Sequence, residues 1–215
     1  MSRAGFTLME VVVALAVASL VALAAYQGVA ILGELDARAT ARREAGVRHL
    51  AIRRQLVDWL RSARLATDSL SVGFEGHDRV TAHGVPDDVV AFPTLAPGPF
   101  RSGRALVRVL IDRDPATSER GLVAVLTDGP GDTPALRTGS GFDRDRGAGA
   151  NIVELVPEAT GLDIRYRFRL GGDPAWFNGW ISAVRLPDAA EVRILGDSVP
   201  HILRVPILVP IGGGG

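Results

Sequence analysis

The chain contains no cysteine and no lysine. Without cysteine there is no disulfide framework, no thiol nucleophile and no cysteine-bound zinc. Without lysine, the glycine-rich turns Gly129-Pro130-Gly131 and Gly147-Ala148-Gly149 lack the cation that a phosphate-cradling loop requires, so nucleotide binding has no support. The lysine gap fits a biased genome composition better than any physical demand. All 24 strongly basic side chains are therefore arginine, and they balance 24 carboxylates. Other signatures are missing too. His49, His77, His83 and His201 show no HExxH spacing, and Gly139-Ser140-Gly141 lacks the GxSxG of a nucleophile elbow. Asp143, Asp145 and Glu154 stand at positions one, three and twelve of an EF-hand count. Gly147 replaces the fifth ligand, however, Ala148 replaces the turn glycine, and a strand is expected from Ile152. The expectation is a chain with no catalytic residue, no metal site and no cofactor.

What the chain does have is a long apolar run. Over 6–32 the only clearly polar side chains are Thr7, Glu10, Ser19 and Gln27, and no proline interrupts. At ~1.5 Å per residue this is roughly 40 Å of helix, ample for a hydrocarbon layer of about 30 Å. A cleaved secretory signal is the competing reading, with Ala22 to Ala25 imitating its cleavage site. Its apolar core runs only ~7–15 residues, and a carboxylate at its entrance is foreign to it. Glu10 is the informative residue, because a carboxylate in a lipid-compatible helix is costly and is usually kept for function. Charge alone does not orient the span: Arg3 precedes it, but Arg38, Arg42 and Arg43 follow closely.

The run Gly5-Phe6-Thr7-Leu8-Met9-Glu10-Val11 resembles the class III signal of type IV pilins and type II secretion pseudopilins. The resemblance implies cleavage by a prepilin peptidase between Gly5 and Phe6, then N-methylation of Phe6. Glu10 becomes the fifth mature residue, where the family keeps a glutamate that serves subunit assembly. It also implies a cytoplasmic N-terminus, a single pass through the inner membrane and a periplasmic remainder. A neighbouring subunit's new terminal amine would then offset the charge of Glu10.

Beyond the span, Leu32, Leu35, Ala39, Gly46, Leu50, Val57 and Leu60 recur at steps suited to an amphipathic helix. One helix is expected over 6–64, with Trp59 packed where it meets the globular part. Eight arginines between positions 38 and 64 face only Asp36, Glu44 and Asp58. They read as a solvated helix face rather than a nucleic-acid surface. After Ala66, glycine and proline become frequent and apolar runs shorten to strand length. Strands are expected at 89–92, 105–111, 122–126, 152–156, 162–170 and 191–195, with a last one over 202–209. The clearest alternates Leu162, Ile164, Tyr166, Phe168 and Leu170 with Asp163, Arg165, Arg167 and Arg169, as a half-buried antiparallel strand does. The fold class is α+β, a pilin-like long helix on an antiparallel sheet. Its expected parts are a leader 1–5, a membrane half 6–32, an amphipathic half 33–65, a β-rich domain 66–211 and a disordered glycine tail 212–215.

Thr160-Gly161-Leu162, Tyr166, Trp176, Trp180 and Arg185-Leu186-Pro187, followed by the strand 191–195, resemble the J-type minor pseudopilin of type II secretion. This implies partners of the I and K types at a fibre tip, the prepilin peptidase, an inner-membrane assembly platform with its ATPase, and membrane lipid, with no nucleic acid. A W-like minor type IV pilin and a membrane-tethered periplasmic enzyme or binding protein are the other readings.

Overall fold

The computed structural model describes residues 8–65, 73–95, 105–115, 118–128, 150–169, 171–182 and 185–211. The chain divides into two compact units, 1–48 and 49–215. One helix, α1 (Leu8–Arg61), supplies the described part of the first unit and enters the second. Alanine, leucine and valine are its commonest residues, and a Cβ added at Gly28, Gly33 or Gly46 would meet nothing among the described residues. Leucine 170, the Gly-rich loops at 129–149 with Asp143 and Asp145, and the tail 212–215 lie outside the described residues.

Within the second unit the helix buries Ile52, Leu56, Trp59 and Leu60, a stripe stepping by four, three and one, and Ala63 just past its end is buried beside it. The expected stripe is only partly right. Within the second unit Leu60 is buried and Val57 half-buried, but Leu50 is exposed. Periodicity identified an amphipathic helix but not which of two adjacent apolar rows the sheet would cover. The helix ends where Ser62 hydrogen-bonds back to Asp58 through both its backbone N–H (3.0 Å) and its Oγ (2.6 Å). The Arg64 N–H then donates to Pro93 O at 2.9 Å, tying the helix end to the sheet.

Two antiparallel sheets follow. The first contains β1 (Phe74–His77), β2 (Val89–Thr94), β3 (Ala105–Asp112), β4 (Gly121–Asp128), β5 (Asn151–Val156) and β8 (Trp180–Ser182), ordered β5-β4-β3-β2-β1-β8. The second contains β6 (Gly161–Arg169), β7 (Pro174–Phe177), β9 (Ala189–Leu195) and β10 (Ile207–Pro210), ordered β10-β9-β6-β7. Alternation explains the burial: Leu162, Ile164 and Tyr166 of β6 and Val192 and Ile194 of β9 point into one core with Phe74, Phe92, Val107 and Leu122. A smaller apolar cluster, Val89, Leu110 and Val123, lies on the other face of the first sheet. The strands β7 and β8 are edge neighbours in sequence but belong to different sheets, so the two-residue turn Asn178-Gly179 links the sheets.

The final strand is shorter than expected. Residues 201–204 form a helical turn, α2 (His201–Arg204), between Pro200 and Pro206. Proline at its N-cap leaves no side-chain cap, and Pro206 prevents extension, so only Ile207 onward joins the sheet. Arg53 also departs from the expected solvated row. Its guanidinium donates to Ile202 O at 3.0 Å and Val205 O at 2.9 Å, pinning this turn to α1.

Candidate functional site: the helical anchor and its carboxylate

From Leu8 to Gly33 the helix carries one charged side chain, Glu10. It stands in the first turn and is exposed. A negative charge there is favoured by the positive end of the helix dipole, worth ~0.3–1 kcal/mol near water. The next charges are Glu34, Asp36 and Arg38, and Glu34 and Arg38 pair at 2.6 Å one turn apart. At 1.5 Å per residue Glu10 and Glu34 stand roughly 36 Å apart along the axis, somewhat more than a hydrocarbon layer. Of the polar side chains between them, Ser19 is internally satisfied, since its Oγ donates to Leu15 O at 2.7 Å. The described side chains along this stretch, among them Leu15, Leu20, Leu23 and Val29, are exposed. So large an unpartnered apolar surface is unsuited to water. By length and composition this helix can cross a membrane.

Gly5 and Phe6 lie outside the described residues. Trp59 packs in the core as expected. Of the EF-hand count only Glu154 is described. It lies in β5, where Oε2 accepts the Arg120 N–H at 3.0 Å. No metal-binding cluster of histidine and carboxylate occurs among the described residues.

Three polar residues not foreseen from the sequence organise the centre of the second unit. Asp88 is buried immediately before β2. Its Oδ1 accepts the Arg79 N–H at 3.0 Å and its Oδ2 the Ile164 N–H at 2.6 Å. The carboxylate thereby fastens the loop before β2 to β6, beside a parallel bridge from Asp87 to Leu162. Burial raises its pKa to about 6, against the two N–H bonds, which lower it. Tyr166, fully buried, has its pKa raised by burial first and by the Asp88 charge second. Arg113 pairs with Asp87 and donates to Thr160 O at 2.6 Å, clamping the same loop from outside. This arrangement holds two sheets in register. It offers no nucleophile or paired acid and base, and the only sequence signal was the position of Tyr166 on the apolar face of its strand.

Comparison with known proteins bears on the anchor. Residues 1–26 match the family model described as the prokaryotic N-terminal methylation motif. Among curated proteins nothing matches the chain. The motif covers Gly5, Phe6, Glu10 and most of the apolar run, and the proteins that carry it are typically structural rather than enzymatic. Together with an apolar helix leading into antiparallel sheets, it supports a type IV pilin-like or pseudopilin-like protein and fits a single-pass inner-membrane anchor; the motif implies, in general, prepilin peptidase processing and assembly of a pilus or pseudopilus.

Proposed function

We propose that the chain is a minor pseudopilin of the type II secretion system, of the J type, placed at the tip that initiates a short fibre for export of folded proteins. The observation that carries the reading is Glu10, the lone charge at the head of an exposed apolar helix within a methylation motif. Prepilin peptidase cuts between Gly5 and Phe6 and methylates Phe6. The span 6–32 then holds the protomer in the inner membrane with the N-terminus cytoplasmic and 66–211 periplasmic, 33–65 being the link. A carboxylate in lipid costs a few kcal/mol, and pairing it with a neighbour's terminal amine removes part of that cost. Assembly is thereby favoured over the isolated membrane protomer. The J-type assignment is supported by the stretch from Thr160 to Leu195, which folds as β6 to β9 and carries the aromatic residues of that resemblance. Partners of the I and K types and the assembly platform follow from it.

Mass spectrometry of the mature N-terminus from the native host tests the reading. Methylated phenylalanine at residue 6 is the expected result, while a start near Tyr26 would mean ordinary signal cleavage. Deleting the gene should stop export of folded proteins. Loss of surface pili with export intact would assign the chain instead to a type IV pilus.

A further inference from the structure

The two edges of the four-stranded sheet are guarded differently. Proline on an edge removes a donor and discourages another strand from pairing. β10 follows Pro206 and ends on Pro210, whereas β7 has proline only at its first position. All four β7 residues are exposed, and β7 pairs with β6 alone among the described strands. Its surface is apolar: Trp176 is 44% exposed, and Ile181 on the adjoining β8 is 71% exposed.

A row of positive charge runs beside this edge. Trp176 stands opposite Arg167 and Pro174 opposite Arg169, and directly opposed residues share a face. Arg165, Arg167, Arg169 and Trp176 therefore occupy the outer face together. The Arg167 guanidinium lies over the Trp176 ring, 5.9 Å from its centroid, and so leans toward β7. Among the described residues none of these three arginines pairs with a carboxylate. The acidic residues on the same face, Glu191 and Asp163, are engaged by Arg193 at 2.5 and 4.0 Å. Alternate residues on a strand are ~6.7 Å apart, which sets the pitch of the row.

We propose that the β7 edge is a docking site for an extended segment of another protein with carboxylates at alternate positions and apolar residues between them. Such a segment adds to the sheet beside β7 through main-chain hydrogen bonds. Its carboxylates face the arginine row at matching pitch, and its apolar side chains lie beside Phe177 on the other side. A nucleic acid or an anionic membrane fits less well, because either would press phosphates onto Glu191 and Asp163. This inference is independent of which fibre the chain builds.

The full chain, in neutral detergent, is titrated against a fluorescent peptide of alternating glutamate and valine, followed by anisotropy. Binding that weakens with salt is expected, with at least a tenfold loss in Arg165→Glu and Arg169→Glu and no loss in Arg54→Glu on α1. Trp176→Ala, which leaves all charges in place, should also weaken binding, and circular dichroism checks that each variant is folded. Absence of binding, equal binding of a lysine–valine peptide, or equal loss in Arg54→Glu would overturn the proposal. So would tighter binding of oligothymidylate or of short-chain phosphatidylglycerol.

Discussion

The Tyr166 ring lies directly on Gly76, across the space between the two sheets. A Cβ built on Gly76 would overlap the hydroxyl and the ring carbons of the tyrosine. Phe74, two residues earlier on β1, meets the same ring edge-on at 5.7 Å. One strand thus supplies an aromatic wall and a gap, and the other supplies the side chain that fills it. Gly76→Ala should therefore destabilise the second unit by ~1–3 kcal/mol, the usual cost of overpacking. Thermal unfolding of the full chain in detergent checks this.

The Tyr166 hydroxyl is buried and has no hydrogen-bond partner among the described residues. A buried, unsatisfied hydroxyl costs about 1–3 kcal/mol. Tyr166→Phe keeps the ring and removes that cost, so the variant should be at least as stable as the natural chain. A clear loss of stability on denaturant unfolding would show that the hydroxyl does bond in solution.

Asp88 makes stability depend on pH. Its folded pKa, about 6, lies above the ordinary 3.8. The folded state therefore holds this proton more tightly than the unfolded state does. Its contribution is full below about pH 4 and is lost as pH rises through about 6, after which the curve is flat. The difference is on the order of 3 kcal/mol at most. Asp88→Asn, which cannot ionise, should flatten this part of a plot of unfolding free energy against pH between 4 and 6.

Arg53 donates to backbone oxygens of the α2 turn, and hydrogen bonds from a charged donor are worth about 1.5–3 kcal/mol when buried, less when partly solvated as here. Arg53→Ala should lower the unfolding midpoint. Both carbonyls accept from one nitrogen, Nη1, while Nη2 reaches Pro206 O at 3.4 Å, so Arg53→Lys should recover only part of the loss, because an ammonium cannot supply the second nitrogen. Lysine restoring full stability in the same melt would show that charge alone suffices.

The two apolar rows on α1 are separable. Leu56→Ala removes a fully buried side chain and should cost about 2–5 kcal/mol. Leu50→Ala, at a residue 54% exposed, should change stability by less than about 0.5 kcal/mol. Parallel melts compare them, and equal losses would mean that Leu50 is buried in solution.

The anchor was legible in the sequence because its physics is one-dimensional. Twenty-odd apolar residues without proline make a membrane-length helix wherever they occur, and a single carboxylate among them is conspicuous. β6 was legible for a similar reason, since a period of two over Leu162 to Phe168 leaves one face wet and one dry. β1, β7 and β8 were not, being three or four residues long and built around Gly76, Pro174 and Trp180. Such pieces become strands only because a neighbour offers its free edge. The same limit hid Asp88. Nothing in Asp87-Asp88 distinguishes an exposed turn carboxylate from one that ties two elements together, because its two donors, Arg79 and Ile164, are far from each other in the chain. Local pattern thus determined the helix, the alternating strands and the charge at the anchor's head, since each depends on residues within a few turns. The division into two sheets, the row of α1 that is buried and the Tyr166–Gly76 fit were decided by tertiary structure, because each depends on which distant surfaces exclude water from one another.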